Sequence, residues 1–368
     1  MKIVIFGHKY VPSREGGVEI VVENLAVRLA KAGHDVTILN RKRKQYKPIS
    51  EYKGCRIENI FTVNNRSLDA IVYAFFATLK ARRLIKKRLA DIVHIHAEGP
   101  CNFLGLLPKK EKRSGTKVIV TIHGLDWQRG KWGGFASRII KRGERKAVKY
   151  ADEIIVLSEN NKHYFADTYN RQTTYIPNGV NKAEFYAPDI IKEKYGLDKG
   201  SYVLFLSRIV PEKGVHYLID AWDLVKNRIK TDKKLVIAGG SSHSDEYFES
   251  VMHSAEKDHS IITTGFVEGQ LLRELLSNAY LYVLPSDIEG MPMSLLEAGA
   301  YGLPTLTSDI PENTEVVGTG GVTFKKGDVS DLADKLEMLL AGIPAHMASP
   351  KIKSWEEVVE KTMEVYKK

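Results

Sequence analysis

Short apolar segments alternate with helix-spaced segments along the whole chain, and this alternation restricts the fold more than any other feature of the sequence. The apolar segments are three to five residues long and rich in Val, Ile and Leu, as is typical of strands buried on both faces. Stretches with helical spacing, such as Val18–Ala32, lie between them. This order predicts α/β domains with parallel sheets. The predicted strands are Ile3–Phe6, Val36–Leu39, Ile92–Ile95, Val118–Ile122, Ile154–Leu157, Thr174–Ile176, Tyr202–Leu206, Leu235–Ala238, Ile261–Thr263, Leu281–Leu284 and Thr305–Thr307.

The alternation restarts near the middle of the chain. A turn-rich stretch at 177–179 ends the first series, and Tyr202–Leu206 opens the second. The chain has 368 residues, and at roughly 100 to 200 residues per domain we predict two α/β domains, over residues 1–181 and 182–350. In the last segment, 351–368, apolar residues recur at helical spacing, which predicts an amphipathic helix that packs back on the first domain.

The two predicted domains differ in charge. The formal net charge is +10, but residues 1–180 carry 34 Lys and Arg against 16 Asp and Glu, a net charge of +18, which leaves −8 for residues 181–368. Such an excess of basic residues favours an anionic partner. No helix-turn-helix, zinc-finger or aromatic RNA-binding signature accompanies the basic clusters. We therefore predict a membrane surface or a phosphate-linked acceptor, and no nucleic acid, as the partner.

Cysteine content and hydropathy favour a cytoplasmic location. Cys55 and Cys101 are too few for a disulfide framework or a cysteine-based zinc site. The longest apolar stretch, Ala70–Leu79, has ten residues, against the roughly 20 that a membrane span needs, and Ile3–Phe6 is too short for a secretory signal. Residues 70–90 also carry a cluster of basic side chains at Arg82, Arg83, Lys86, Lys87 and Arg88. They predict either an interfacial amphipathic helix or a core helix with a basic outer face, so peripheral attachment to the inner face of the membrane stays open.

The first helix start does not fit a dinucleotide-binding fingerprint. That fingerprint needs G-x-G-x-x-G directly after the first strand and an acidic residue at the end of the second. Here the glycines are Gly7, Gly16 and Gly17, and the second strand ends in Asn40 and a basic run from Arg41. Both the spacing and the acidic residue are missing. Because an arginine can accept a 2′-phosphate, an NADP enzyme remains an alternative.

Two carboxylates, Glu289 and Glu297, lie eight residues apart across a predicted helix start. Pro292 fits a first helical turn, because it donates no backbone hydrogen bond and its φ is preset. The backbone N–H groups of the next three residues can then bind an anion such as a diphosphate. We expect Glu289 in the loop before the helix and Glu297 about two turns inside it. One carboxylate can reach a sugar and the other a ribose, although an ordinary helix with acidic residues near its amino end fits the segment alone.

The segment resembles the Glu-x7-Glu signature of retaining glycosyltransferases of family 4, and the resemblance extends over nearly the whole chain. The resemblance implies the GT-B fold of that family, in which two Rossmann-like domains face each other across a cleft. Ser207–Gly214 is similar to the phosphate-clamp loop of the family. The resemblance implies that Arg208 and Lys213 bind the donor diphosphate and that Glu289 contacts the transferred sugar. It also implies sugar and phosphate contacts from the backbone of Gly290, Met291, Pro292, Met293 and Ser294, ribose contacts from Glu297, and contacts to the base from Gly265, Phe266 and Val267.

Two segments of the first half are similar to the same family. Pro12–Gly17 resembles the glycine loop that approaches the diphosphate and the acceptor, where Gly16 and Gly17 allow close contact because they lack side chains; a flexible turn is the alternative. His123–Gly133 resembles a subgroup from bacterial surface-polysaccharide assembly, described as rhamnosyl- or galactosyltransferases. That resemblance implies that His123 contacts the donor sugar.

Three histidines need a separate interpretation. His94 and His96 lie two apart on a predicted strand and hence on one face, and His123 follows a neighbouring strand. A zinc site is one reading. We prefer a buried, hydrogen-bonded His94 and predict that His96 and Asp126 contact the acceptor. No metal is expected, because the helix terminus, Arg208 and Lys213 already supply positive charge.

The resemblance implies a retaining transferase that moves a hexose from a nucleotide diphosphate sugar to an acceptor hydroxyl. We expect a UDP- or dTDP-sugar donor on the second domain, a glycan or lipid-linked acceptor on the first, and no cofactor. A front-face reaction, in which the leaving phosphate takes the acceptor proton, is what the family implies. Two alternatives stay open: a sugar-nucleotide epimerase or hydrolase on the same architecture, and a non-catalytic basic scaffold that binds membranes or nucleic acid.

Overall fold

The computed structural model describes residues 1–65, 68–113, 115–128, 134–241, 245–342 and 352–368. These residues form two compact units, and the first unit contains both ends of the chain. It consists of Met1–Gly179 together with Lys353–Lys368, whereas the second consists of Val180–Ile352. The predicted domain end at residue 350 lies outside the described residues.

The first unit is built on an eight-stranded sheet. Its strands are β1 (Lys2–Phe6), β2 (Asp35–Arg41), β3 (Glu51–Tyr52), β4 (Cys55–Ile60), β5 (Ile92–His96), β6 (Lys117–Ile122), β7 (Glu153–Val156) and β8 (Thr174–Tyr175). They follow the order β3-β4-β2-β1-β5-β6-β7-β8 in space. Only the β3–β4 pair is antiparallel among these strands. The chain direction across the sheet reverses between β1 and β5, which pair directly, and such a switch point is where ligands bind in open α/β sheets.

Helices cover the first sheet and close its core. The described helices are α1 (Gly17–Lys31), α2 (Asp69–Lys86), α3 (Gly134–Tyr150) and α4 (Glu159–Tyr169), with 3-10 segments at Gly99–Leu106, Lys110–Lys112 and Asp126–Gln128. Tyr73, Ala77, Ala81 and Ile85 on α2 are buried in one cluster with strand residues such as Val93. Of the two readings of residues 70–90, the structure therefore matches the core helix with a basic outer face.

The second unit repeats the same architecture on a six-stranded parallel sheet. After β9 (Gly179–Val180) it contains α5 (Ile190–Tyr195), β10 (Tyr202–Leu206), α6 (Val215–Arg228), β11 (Lys234–Ala238), α7 (Asp245–Glu256), β12 (Ile261–Gly265), α8 (Gly269–Asn278), β13 (Leu281–Leu284), α9 (Met293–Ala300), β14 (Thr305–Ser308), α10 (Pro311–Val317), β15 (Val322–Phe324) and α11 (Val329–Leu340). The spatial order is β12-β11-β10-β13-β14-β15. Counted within the unit, this is the 3-2-1-4-5-6 order of Rossmann folds, with the switch point between β10 and β13.

The end of the chain belongs to the first unit. β16 (Lys353–Ser354) pairs with β9, and α12 (Trp355–Lys367) follows it. Ser354 begins α12 with a capping box, since its hydroxyl accepts the Glu357 N–H and the Glu357 carboxylate accepts the Ser354 N–H. A Cβ on Gly179 would lie 2.8 Å from the Trp355 backbone, so a larger residue at 179 would push the helix away.

The predicted α/β class with two Rossmann-like parallel sheets is confirmed. Among the described residues, the structure adds β3, β4, β9, β15 and β16, which continuous apolar runs did not indicate. Strand β4 was not predicted because the exposed Arg56 interrupts its buried residues, which are Cys55, Ile57 and Ile60. No helix in the described part of the chain is both long enough and apolar enough to cross a membrane.

Candidate active site

The two loops that follow β10 and β13 meet at the switch point of the second sheet. Arg208 lies two residues after β10, Lys213 lies in the 3-10 turn Pro211–Lys213, and Glu289 lies in the loop after β13. Gly214 has a φ of +67°, and a Cβ there would lie 2.0 Å from the Pro285 carbonyl oxygen. Only glycine therefore allows the first loop to pack this closely against the second.

Lys213 and Glu289 form a buried ion pair. Nζ of Lys213 donates to Oε1 of Glu289 at 2.5 Å, and Oγ of Ser286 donates to the same oxygen at 2.7 Å. The two charged side chains are only 12% and 5% exposed. Ser308 donates to the Ser286 carbonyl at 2.5 Å, and Asn313 donates to Oγ of Ser308 at 3.0 Å. The structure thus holds a buried cation and a buried carboxylate in one hydrogen-bonded network.

Helix α9 starts one residue later than the sequence predicts. Pro292 has an extended backbone and precedes the helix, so it is not in the first turn, and the helix runs over the eight residues Met293–Ala300. Glu297 is consequently about one turn inside the helix, not two. The prediction shifted because proline fits both the last residue before a helix and its first turn. The first N–H groups of α9 have no acceptor within the helix, as at any helix start, and Ser294 shares a 2.7 Å hydrogen bond with the Tyr282 hydroxyl.

The predicted base-contacting segment lies along the same sheet edge. Gly265 ends β12, Val267 is buried, and the Phe266 side chain is 54% exposed. Gly239 and Gly240, which were not among the predicted site residues, follow β11 and connect this segment to Arg208. The Gly239 N–H donates to the Gly265 carbonyl at 2.9 Å, and a Cβ on Gly239 would lie 1.8 Å from the Ser207 carbonyl oxygen. A pair of glycines directly after an apolar run was the signal that could have revealed them.

In the first unit, the predicted glycine loop follows β1 and leads into α1. Gly16 is the last residue before the helix, and Gly17 is its first residue. The loop is held at both ends, since Glu19 of α1 accepts the Lys9 N–H at 2.9 Å and Glu15 accepts the Tyr46 hydroxyl at 2.8 Å. This loop is therefore anchored by hydrogen bonds and is not the free turn of the alternative interpretation.

The three histidines lie at the carboxyl ends of β5 and β6. Nδ1 of His94 hydrogen-bonds the Tyr366 hydroxyl and Nε2 hydrogen-bonds Oγ1 of Thr121, both at 2.7 Å. Nδ1 of His96 lies 2.9 Å from Nε2 of His123. His96 is fully buried, and burial lowers the pKa of His94 to about 3 and holds the pKa of His96 well below its usual value. Contact of His96 with an acceptor stays a prediction.

Two buried carboxyl groups, absent from the sequence analysis, anchor the segment after His123. Oε1 of Glu98 accepts the Asp126 N–H at 3.1 Å, and burial raises the pKa of Glu98 well above its usual value. The Glu144 carboxylate accepts Nε1–H of Trp127 at 3.0 Å and also the hydroxyls of two tyrosines. Residues 129–133 of the predicted segment lie outside the described residues. No local motif could have revealed Glu98 or Glu144, because both act on a segment far away in the sequence.

The geometry argues against two alternative readings. Both ring nitrogens of His94 are already hydrogen-bonded, so His94 has no lone pair left for a zinc ion beside His96 and His123. Arg41, the first candidate for a 2′-phosphate, donates to Asp69 at 2.8 Å, and Arg43 lies 3.2 Å from the same carboxylate. Those guanidinium groups neutralise a buried aspartate within the fold.

Both halves of the chain match known protein families. Residues 15–184 match the family described as "Glycosyltransferase Family 4", and residues 188–351 match "Glycosyl transferases group 1". The first match covers Gly16, Gly17 and the three histidines. The second covers Arg208, Lys213, Glu289 and Glu297.

Individual relatives are similar over nearly their whole length. An uncharacterized glycosyltransferase of Methanocaldococcus jannaschii is 26% identical, over 100% of this chain and 98% of the relative. A GDP-mannose-dependent alpha-(1-6)-phosphatidylinositol monomannoside mannosyltransferase of Mycolicibacterium smegmatis is 24% identical, over 90% and 87%. The solved structure of Anabaena HepE in complex with UDP and glucose has a TM-score of 0.79 at 16% identity and covers 100% of both chains. The two family matches in tandem, on two Rossmann-like units, show that the chain belongs to the family 4/group 1 glycosyltransferases of the GT-B fold.

Proposed function

We propose that the protein is a retaining, metal-independent hexosyltransferase that uses a nucleotide diphosphate sugar. The observation that carries this proposal is the convergence of the Arg208–Lys213 loop with Glu289 at the switch point of the second sheet, where the Lys213–Glu289 pair is buried. A cation and a carboxylate in contact suit a ligand with a phosphate directly beside a sugar. A nucleotide diphosphate sugar has that chemistry.

The donor contacts follow from the order of groups along this sheet edge. Arg208, Lys213 and the amino end of α9 bind the diphosphate, because fixed cations and helix N–H groups favour anions. Glu289 accepts hydrogen bonds from hydroxyls of the transferred sugar. Glu297, about one turn into α9, accepts the ribose hydroxyls.

Gly265, Phe266 and Val267 contact the base at the other end of the donor. The exposed Phe266 ring offers an apolar face on which a planar base can stack. UDP and dTDP sugars are the proposed donors, and the similar Anabaena HepE, whose solved structure is in complex with UDP and glucose, supports this assignment.

Departure of the leaving phosphate develops negative charge on the diphosphate and positive charge on the sugar. Preorganised Arg208, Lys213 and N–H dipoles stabilise the first charge without reorganisation, and such groups commonly supply the largest part of a rate enhancement. In this proposal no metal ion is needed to stabilise the negative charge on the diphosphate. The acceptor attacks on the face that the phosphate leaves, and a phosphate oxygen takes its proton, so the anomeric configuration is retained.

In the first unit, we assign Gly16 and Gly17 to close contact with the diphosphate, His123 to the donor sugar, and Asp126 to the acceptor hydroxyls. The anchoring of Asp126 by Glu98 and of the neighbouring Trp127 by Glu144 supports this assignment. Substrate-binding groups need such support, because a displacement of about 1 Å can cost roughly 10²-fold in rate.

A thermal-shift panel of nucleoside diphosphates and their sugars tests donor binding. A ligand at 100 times its dissociation constant stabilises the folded protein by about 2.7 kcal/mol. We expect stabilisation by UDP or dTDP sugars that is lost in Glu297→Gln and kept in Glu256→Gln, which replaces an exposed glutamate of the same unit. Failure of every nucleotide in the panel to stabilise the wild-type protein would refute the donor assignment.

Analysis of the products separates transfer from the alternatives. Incubation with the donor, an acceptor mixture of lipid-linked sugars and EDTA should give a glycoside with the anomeric configuration of the donor. An isomerised nucleotide sugar would indicate an epimerase, and free sugar alone a hydrolase. Inversion at the anomeric carbon, or loss of transfer in EDTA, would contradict the retaining, metal-independent reaction.

An aromatic patch on the first unit supports a membrane-bound acceptor. Phe61 and Phe76 are 56% and 39% exposed and lie 5.4 Å apart, and Phe75 and Phe103 continue the patch inward. The last turn of α2 and the residues after it carry Arg83, Lys86, Lys87 and Arg88 in exposed positions. We propose that this face contacts an anionic lipid surface at the inner side of the membrane, with about 1 kcal/mol from each well-placed cation.

Vesicle sedimentation tests the membrane contact. At low salt the protein should sediment with vesicles that contain anionic lipid, and the Phe61→Ser/Phe76→Ser variant should bind them more weakly. Phe185→Ser is the control, because Phe185 is 69% exposed in the second unit. Equal vesicle binding by all three proteins would overturn the assignment of the surface.

A further inference from the structure

His96 and His123 form a hydrogen-bonded pair of histidines, and the second ring nitrogen of His96 is the feature of interest. Nδ1 of His96 lies 2.9 Å from Nε2 of His123. Nε2 of His96 is buried and has no hydrogen-bond partner among the residues that the structure describes. His96 itself is completely buried, and His123 is 7% exposed.

The unpartnered nitrogen decides the direction of the hydrogen bond. A neutral imidazole has one N–H donor and one lone-pair acceptor, and burial keeps His96 neutral. If His96 accepted at Nδ1, its N–H would be on Nε2 and would be buried without an acceptor. Orphaned buried N–H groups are rare in proteins, whereas acceptors with unused lone pairs are less so. The favoured arrangement therefore has His96 donating from Nδ1, with only a lone pair on Nε2.

The surroundings of His96 leave its ring little freedom to turn. The His94 ring lies 4.3 Å from it, and hydrogen bonds to Tyr366 and Thr121 hold that neighbour on both sides. On the backbone side, Gly7 approaches so closely that a Cβ there would lie 2.1 Å from the His96 carbonyl oxygen. These contacts pack His96 closely on its ring side and on its backbone side.

We propose that His96 is a positioning residue that holds His123 in one tautomer, with the proton on Nδ1 and the lone pair of Nε2 occupied by the His96 N–H. His123 then has no free lone pair. It can act only as a hydrogen-bond donor and cannot take the proton of an acceptor hydroxyl. The consequence for the reaction rests on the proposed function: the acceptor proton must go to another group, and in the front-face reaction the leaving phosphate is that group.

Nitrogen NMR of the full-length protein, labelled with ¹⁵N histidine, reads the tautomers directly. We expect His123 with a protonated Nδ1 and an unprotonated Nε2. His96→Asn places an amide N–H near the position of the original Nδ1 and should preserve this pattern, whereas His96→Leu should abolish it. His163→Leu, which removes an exposed histidine of α4, is the control for assignment. A protonated Nε2 on His123 in the wild-type protein, or an unchanged pattern in His96→Leu, would overturn the proposal.

Turnover provides a second readout that distinguishes positioning from simple folding. His96→Leu should lower kcat by about 10-fold, the factor that one neutral hydrogen bond supplies, with little change in donor KM, and His96→Asn should restore most of it. An equal loss in both variants would refute the positioning role. If the tautomer of His123 shifts as expected in His96→Leu while kcat stays at the wild-type value, the tautomer assignment stands and the assignment of His123 to the donor sugar fails.

Discussion

Replacement of His94 by Gln should reduce by about one the number of protons that the first unit binds when it unfolds in acid. His94 is completely buried between Tyr366 and Thr121, and its pKa is lowered to about 3 by burial. The folded protein therefore resists protonation of this ring, whereas the unfolded chain binds the proton with a pKa of about 6.5. Because the folded-state pKa is depressed, the neutral form contributes fully above about pH 6.5, and stability is lost as the pH falls toward 3.

The size of the effect follows from these two pKa values. At pH 7.5 neither state binds the proton, so the contribution to the free energy of unfolding is close to zero. At pH 5.0 the unfolded state is almost fully protonated and the folded state is not, which destabilises the folded protein by about 2 kcal/mol. We expect the wild-type protein to lose about 2 kcal/mol more than His94→Gln between these two pH values. His8, whose pKa is lowered to about 4, acts in the same direction in both proteins and cancels in the comparison.

Urea unfolding followed by tryptophan fluorescence measures this difference. A Trp222→Phe background is needed, because the other three tryptophans all belong to the first unit. His163→Gln is the matched control and should keep the wild-type pH dependence, since His163 is exposed. A pH-dependent difference below about 0.5 kcal/mol between wild type and His94→Gln would refute the argument from burial.

Two further predictions concern packing in the first unit. Gly7→Ala should lower the free energy of unfolding by more than about 2 kcal/mol, because the new Cβ would lie 2.1 Å from the His96 carbonyl oxygen at a φ of +116°; Gly99→Ala, with open space and no positive φ, should be nearly neutral in the same urea experiment. Glu144→Leu should cost about 3 kcal/mol or more, since three partly buried donors lose their shared buried acceptor, and an effect as small as that of Glu111→Leu on the exposed surface would contradict the expected role of Glu144.

The sequence predicted most of the sheet positions because buried parallel strands are continuous apolar runs. β10 and β13 agree with the predicted Tyr202–Leu206 and Leu281–Leu284 residue for residue. Strand β4 could not be found in this way, because one face of it is partly exposed and Arg56 interrupts its apolar residues. Periodicity therefore identifies the centre of each sheet better than its edges.

The candidate site was predictable where function depends on adjacent residues and not where it depends on distant ones. The sequence placed Glu289 in a loop before a helix, and the structure agrees. It did not indicate that Lys213, 76 residues away, pairs with that carboxylate. The sequence did not indicate the role of Glu144 either, because its contact with Trp127 depends on how α3 packs in the first unit. Only the folded chain brings these charges together.

The most direct test of the proposed donor site is the turnover of Lys213→Ala. The assay uses the donor sugar that stabilises the protein in the thermal-shift panel. It measures the release of nucleoside diphosphate from that donor in the presence of acceptor. Loss of the buried cation should lower kcat by about 10²-fold or more, by analogy with removal of one preorganised donor from an oxyanion site. Lys192→Ala, which removes an exposed lysine paired with Asp198, should leave turnover unchanged. Wild-type turnover in Lys213→Ala would contradict the assignment of the switch point of the second sheet to the donor diphosphate.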